Sequence, residues 1–470
     1  MSSAFVSAVW GCSSSFEYAP PTFSSNGGVA AVPIDIEDVE VLYVLDESKD
    51  IIRAKATMTF TVDEVGHPFF LFALKPKRIS LDSRVLDPDR LTTESRSEED
   101  ASVQVLRTPV PLRPRVKPYR VEIDYELTGR FPASKKYGAE LAFDMTDVSS
   151  CTIPCIAPDV YLSDAYFPSN FEFDTFRLRT ELHVKNASSG YEVFTNGRKS
   201  NLRPNRWRIT FSSWSNSASF YLHLVRGAEK LEIKRNERPT RVQIHVSLRV
   251  DKPSDELGRV AALVPEILER LIGRLGTFPF EELKIEVGPK GSLAEQLWRL
   301  EHLDGKRGGG PPPGMKSSDS RGQEYAGAIW IAEGVSEDVL GHEIAHQWFG
   351  RSVRPPSATS GWVDEVVAIW VGRKRLISSG IPCGDKVEAV GPYARHTNDR
   401  VYDMGERVMQ LISWLVTPAQ LTATLSGIAG AQRHRFLSGR AWASHVLGRH
   451  GEQQNDVLDA LKGCIEGIGR

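Results

Sequence analysis

The sequence predicts an α+β chain in which an antiparallel β domain, sandwich-like or saddle-shaped, precedes a mainly helical domain. Three observations carry this prediction. Short segments rich in β-branched and aromatic residues follow one another from residue 37 to about 250. At Ser254 the spacing of apolar residues changes from two to that of a helix. Beyond Ser336 most of the chain keeps the helical spacing.

The strand-like segments are 39–45, 54–62, 68–74, 103–106, 119–127, 176–184, 207–211, 220–225 and 242–250. Several alternate polar with apolar, as in the A-K-A-T-M-T-F-T-V run of residues 54–62, the pattern of a half-buried strand. Turn formers separate them: Asp87, Pro88 and Asp89; Thr195, Asn196 and Gly197; and Pro109, Pro111 and Pro114. Ser254 suits the cap of a helix whose buried face is Leu257, Val260, Leu263, Ile267, Leu268 and Leu271, with Pro265 a potential kink. Phe278, Pro279 and Phe280 end it, and residues 283–287 follow as a strand. A short helix is expected over 292–303, a Gly/Pro-rich flexible loop over 305–322 and a strand over 328–332. The resulting division is an extension over 1–34, a β domain over 35–250 and a second domain over 251–470.

Composition narrows the class. The 470 residues are 41% hydrophobic and 25% charged, a globular mix, and a net charge of -2 offers nothing to nucleic acid or an anionic membrane. The longest apolar runs, 260–264 and 366–371, are far shorter than the roughly 18 residues of a membrane span. Residues 1–12 contain no Lys or Arg, unlike a secretory signal. The five cysteines, Cys12, Cys151, Cys155, Cys383 and Cys464, are an odd number spread along the chain. They are expected to be free thiols in a cytoplasmic protein. Cys151 and Cys155 lie close enough to bridge or to share a metal, but no second pair or nearby His completes a site.

The chemistry is concentrated after Ser336. His342, Glu343 and His346 form H-E-x-x-H; on a helix, positions i and i+4 share a face, so both imidazoles can meet one ion while Glu343 reaches a water beside it. Ser336 suits the N-cap, Glu337 and Asp338 the first turn, and Gly350 the helix stop. Trp362 to Ala368 opens a second, amphipathic helix carrying Glu365, with 18 residues between it and His346. Two packed antiparallel helices bring that carboxylate to the ion. Two His and one Glu leave a fourth tetrahedral position for water, as a catalytic zinc requires.

These residues resemble the gluzincin aminopeptidases typified by alanyl aminopeptidase and leukotriene hydrolase. His342 to Gly350 reads H-E-I-A-H-Q-W-F-G, matching the family string throughout, and W-V-D-E-V-V-A replaces W-L-N-E-G-F-A with the ligand Glu kept. Softer likenesses are Phe278 to Phe280, Thr195 to Gly197 and Phe220 to Leu222. The resemblance implies a thermolysin-like catalytic domain and a single zinc ion on His342, His346 and Glu365. It also implies Glu343 as general base and a transition-state tyrosine. For the last, Tyr402 in Y-D-M-G matches the family's Y-x-K-G with Met404 in place of Lys; Tyr393 is the rival. The family's G-A-M-E-N, whose Glu holds a substrate ammonium, has no intact copy. The alignment puts Glu324 of R-G-Q-E-Y at that position, as an anchor or as a solvated loop charge. No Gln precedes Phe167 and Pro168 where the family contributes a substrate contact, and the family's C-terminal helical domain is not expected here.

The expected function is therefore a zinc aminopeptidase acting on a peptide or peptide-like substrate. The alternatives are a zinc hydrolase or endopeptidase dedicated to one modified peptide or amide, and a non-catalytic scaffold on a peptidase fold. The retained Glu343 argues against the scaffold, which needs no base.

Overall fold

The structure is a computed structural model. It describes residues 15–465, apart from 26, 47, 50, 73, 99–100, 129–140, 144–166, 188–189, 227–229, 232–242, 249–254, 289–321, 333, 384–386, 388–392 and 394–399. Outside the described residues lie Cys12, Cys151, Cys155, Ser254, the helix expected over 292–303 and residues 305–321 of the expected loop.

An eight-stranded sheet dominates the first half. Its spatial order is Arg198–Arg203, Arg206–Thr210, Arg177–Lys185, Asp35–Asp46, Ile51–Thr61, Tyr119–Thr128, Arg78–Leu81 and Arg84–Leu86. Alternation explains the long strands: Ile52, Ala54, Ala56, Met58 and Phe60 are buried, while Arg53 and Lys55 reach Glu126 and Glu122 on the next strand. The expectation of a wholly antiparallel domain is corrected at two places: Asp35–Asp46 runs parallel to Arg177–Lys185, and Ala30–Val32 runs parallel to His67–Phe70. The partners in each pair are far apart in sequence, so no hairpin dictates their direction. A five-stranded and a three-stranded sheet complete this half. Strands Phe23–Ser24 and Ala30–Val32 already belong to the five-stranded sheet, and Val32 and Ile34 lie in the core.

The second half begins earlier than the change of spacing at Ser254 suggests. The strand expected over 242–250 is present as Gln243–Leu248, but it pairs in parallel with Glu282–Gly288 rather than with the β-rich sheets. Helix α1 (Asp255–Leu275) makes the crossover, so these three elements form one strand–helix–strand unit. Ala328–Ala332 is the next parallel strand, and Gly322–Tyr325 closes the sheet as an antiparallel edge. Pro265 sits inside α1 without ending it. Helices α2 (Glu337–Ala345), α3 (Ala358–Gly372), α4 (Arg400–Val416), α5 (Pro418–Ala431), α6 (Gly439–Arg449) and α7 (Gln454–Cys464) make up the rest. No single helix among the described residues is long and apolar enough to cross a membrane; α4 and α5 reach that length only across a 113° bend at Thr417.

The two halves meet through specific polar contacts. Asn196 donates to Ser219 O at 2.6 Å and to Ala326 O at 2.9 Å, and it accepts from Tyr221 N at 3.0 Å. Lys284 reaches back to Thr195 O at 2.9 Å, and the Tyr221 hydroxyl donates to Glu286. Thr195, Asn196 and Gly197 thus act as more than a turn. They grip the hairpin that carries the edge strand.

The expectation of free thiols is corrected for two cysteines. Cys383 and Cys464, 81 residues apart, form a disulfide across a Cα–Cα distance of 5.3 Å. The end of α7 packs beside the segment after α3, where Val387 N donates to Cys464 O at 2.9 Å. A link closing so long a loop restricts the unfolded chain, and Cys464→Ser is expected to cost about 3 kcal/mol. Denaturant midpoints of oxidised wild type and variant measure this. A difference below about 0.5 kcal/mol would show that the link constrains little.

Candidate metal centre

Helix α2 forms for the reasons its sequence suggests. Ser336 Oγ accepts from Val339 N at 3.2 Å, and Leu340, Ile344 and Ala345 bury one face. It ends at Ala345, with His346 as its C-cap, so the expected stop at Gly350 is corrected. Gly350 serves a later turn instead. Its φ is 114°, and a Cβ there would lie 2.9 Å from Asp364 Oδ2 and 3.1 Å from His346 Nδ1. Gln347, the residue after the second histidine, is buried; its Oε1 accepts from Gly327 N at 2.8 Å, tying the helix end to the hairpin.

Helix α3 starts at Ala358, before Trp362, and it is not amphipathic. Val363, Val366, Val367, Trp370 and Val371 are all buried, because α2, α4 and α6 cover it on several sides. Two glycines bring α2 and α3 together. A Cβ on Gly341 would fall 2.3 Å from Gly372 O, and one on Gly372 would fall 2.7 Å from His342 N. With residue 341 opposite 372 and His346 opposite Glu365, the helices run antiparallel, as the sequence suggested.

The donor atoms converge. His342 Nε2 and His346 Nε2 are 3.0 Å apart, and Glu365 Oε2 lies 3.4 Å and 3.6 Å from them. In a tetrahedral zinc site with bonds of about 2.0–2.2 Å, donor–donor edges are about 3.3–3.6 Å; the two edges to Glu365 match, and the 3.0 Å edge between the imidazoles is shorter. Glu365 Oε2 is buried without a hydrogen-bond partner, while Oε1 accepts from the Tyr402 hydroxyl at 3.0 Å. His346 Nδ1 lies 3.2 Å from Phe349 O and donates to it in the tautomer that leaves Nε2 as a metal donor. An unfilled buried acceptor between two imidazoles fits a cation.

Charge supports the fit. Burial, then the neighbouring His346, holds His342 down at about 4. Burial also disfavours a charged His346, but the charges of Glu324 and Glu365 raise it well above the usual range. One proton between two imidazoles is what a cation would displace. Burial would raise Glu365, yet the His346 charge holds it below its ordinary value.

Glu343 lies within electrostatic reach of His346, Glu365 and Glu324, outside the group that could share an ion. It is buried, and its Oε2 has no hydrogen-bond partner. Burial, then the Glu324 charge, pushes its carboxyl well up. Gly322 makes the space it occupies, because a Cβ there would lie 2.4 Å from Glu343 Cγ. Tyr402 is on the first turn of α4, which approaches α3 closely at Gly405, where a Cβ would lie 2.7 Å from Val366 Cγ1. Its side chain is 53% exposed, and the Glu365 charge, then burial of the hydroxyl, raises its pKa well above the ordinary value. Tyr393 lies elsewhere, packed on Phe23 and Phe171 and donating to Pro21 O.

Glu324 is not a solvated loop charge. It is buried on the edge strand Gly322–Tyr325, and its Oε1 accepts from Arg351 at 2.5 Å. Burial alone would raise this carboxyl, but the Arg351 charge holds it at about 2. Glu324, His346 and Asp364 form a second group of nearby donors, but the guanidinium already on Glu324 disfavours a cation there. Arg351, Asp364, Gly322, Gly341 and Gly372 were not singled out from sequence as members of this site. Gly341, a glycine inside a buried helix where it costs helix stability, is the available signal.

The backbone has solved counterparts. Yeast LTA4 hydrolase aligns over 92% of this chain and 68% of its own, with a TM-score of 0.61 and 11% identity. An M1 zinc metallopeptidase from Deinococcus radiodurans aligns over 96% and 97%, with a TM-score of 0.57 and 15% identity. A structure of that organism's enzyme bound to a Tyr-Ser-Ala substrate gives 0.56 at 14% identity, over 93% of this chain and 96% of the other. No protein-family model and no curated sequence matches the chain. At these identities the likeness shows a shared fold: a β-rich part followed by a largely helical part.

Proposed function

We propose that the chain is a zinc-dependent peptidase of the gluzincin type, with a thermolysin-like catalytic domain. His342, His346 and Glu365 hold one zinc ion, and Glu343 is the general base. The observation that carries this reading is the donor triangle of His342, His346 and Glu365 with a second carboxylate, Glu343, close outside it. Two imidazoles and a carboxylate suit zinc and leave one position open. When bound, zinc supplies a Lewis acid for activating water and polarising a carbonyl.

The chain's own residues do the rest. Glu343 takes a proton from the attacking water and returns it to the leaving amine. Gly322 keeps that carboxylate against the edge strand. Gly322–Tyr325 pairs with Ala328–Ala332 on one side only, among the described residues, so an extended peptide can align along the other. The Tyr402 hydroxyl, now on Glu365, lies where it can turn to donate to the developing oxyanion. The peptide bound by the Deinococcus enzyme supports a peptide as the substrate class here.

The test is one preparation assayed for zinc content and for peptide hydrolysis, with chelator and after zinc is returned. One zinc per chain, and activity lost and regained with it, is expected. Hydrolysis that persists without metal, or a chain that takes up no zinc, would overturn the reading. Tyr402→Phe is expected to lower kcat about a hundredfold with little change in KM, the pattern for a donor used only in the transition state. Steady-state kinetics at equal zinc loading checks it; an unchanged kcat would remove Tyr402 from the reaction.

The resemblance carries a finer reading, release of single residues from a free N-terminus, which needs Glu324 to receive the substrate's ammonium. The alternative is hydrolysis of an internal or modified amide. Arg351, already on Glu324, favours the alternative.

A further inference from the structure

The carboxylate best placed to recognise a cationic substrate group is Glu324. It lies on the edge strand along which a peptide would align, and it belongs to a donor group that includes His346 of the metal centre. Both of its oxygens have partners. Oε1 accepts from Arg351 at 2.5 Å, and Oε2 accepts from Gln323 Nε2 at 3.2 Å.

Arg351 is not a loose surface side chain that a substrate could push aside. It is 6% exposed, and its backbone N donates to His346 O at 3.0 Å, so it is built into the turn that follows the second histidine. A guanidinium keeps its charge at any working pH. The pair therefore presents a neutral unit in a water-poor place. A substrate ammonium arriving at Glu324 would meet a buried like charge beside the carboxylate. Without a fixed cation there, the same buried carboxylate would attract the ammonium strongly.

We infer that Arg351 takes the position a substrate amino group would need on Glu324, so that the site acts on peptides carrying no charge at that point, namely internal bonds or blocked N-termini. Arg351 is then a specificity-determining residue, and Glu324 is its partner rather than an amine anchor. The inference rests on the peptidase reading above and narrows its substrate class.

Binding tests it separately from turnover. In zinc-loaded Glu343→Gln protein, calorimetry would compare two peptides of one sequence, one with a free N-terminus and one N-acetylated. The acetylated peptide is expected to bind at least as tightly as the free-amine peptide. Adding Glu324→Gln, which leaves Arg351 uncompensated, is expected to shift the ratio, if at all, further toward the acetylated peptide. Adding Arg351→Gln, which uncovers Glu324, is expected to favour the free amine by about tenfold or more. The double change Glu324→Gln with Arg351→Gln removes both charges, so it avoids an unpaired buried acid and should restore the wild-type ratio. A tenfold preference for the free amine without any change at residue 351, lost with Glu324→Gln, would overturn the inference. So would a folded Arg351→Gln protein with no new preference, or failure of both peptides to bind. If Arg351→Gln does not fold, the ratios with and without Glu324→Gln decide. Failure of the peptidase reading shows differently, as wild type that takes up no zinc or cleaves neither peptide.

Discussion

Glu343→Gln is expected to lower kcat roughly a thousandfold or more while the chain still binds one zinc ion. The amide keeps the size of the carboxylate, so it fits the space beside Gly322, but it cannot accept a proton. Because Glu343 lies outside the donor triangle, its replacement leaves His342, His346 and Glu365 in place. In the metal-free protein the change removes a buried acid whose ionisation is opposed by burial and by Glu324, so thermal stability of that form at neutral pH should not fall. Sign follows from linkage: a carboxyl raised above its unfolded value destabilises the fold once pH exceeds that unfolded value. Metal analysis, kcat and a melting curve on one preparation separate the possibilities. A variant that loses zinc, or retains most of its activity, would contradict the assigned role.

Gly341→Ala is expected to lower zinc affinity by at least a hundredfold and to destabilise the protein by about 3 kcal/mol. The added methyl would lie 2.3 Å from Gly372 O, a backbone atom with no rotamer to change. Relief requires α2 and α3 to separate by about an ångström, whereas metal bonds tolerate deviations of about 0.2 Å. The two histidines ride on α2 and Glu365 on α3, so the separation opens the donor triangle directly. Ser336→Ala offers a comparison, because it weakens α2 at its cap by about 1 kcal/mol without moving the helices apart. Equal zinc affinity in wild type and Gly341→Ala, by competition with a chelator, would show that the helix contact does not set the site.

Much of this site could be read from residues because its key spacing is local. His342 and His346 share a helical face at any place in a fold, and Ser336 caps that helix through a bond three residues long. Glu365 required a further assumption, that two helices joined by a proline-containing loop pack together, and Gly341 and Gly372 supply the contact. What was not legible depends on distant partners. Glu324 reads equally as a solvated charge until Arg351, 27 residues on, is seen against it. The strand Gln243–Leu248 has the composition of the β-rich segments before it, and only its pairing with Glu282–Gly288 assigns it to the second sheet. The link between Cys383 and Cys464 spans 81 residues and leaves no local pattern, so their number and dispersal suggested free thiols.

The hairpin between Gly322–Tyr325 and Ala328–Ala332 is held at its turn from two directions. Gln347 holds Gly327 N from the metal helix side, and Asn196 holds Ala326 O from the β-rich half. The division at residue 250 is therefore a boundary in composition that the candidate metal centre does not respect. A polypeptide made of the second half alone would keep every proposed metal donor but lose Asn196, the fixed point outside it that holds the hairpin's turn. Dissection of this protein for engineering is better planned around that shared turn than around the change from strands to helices.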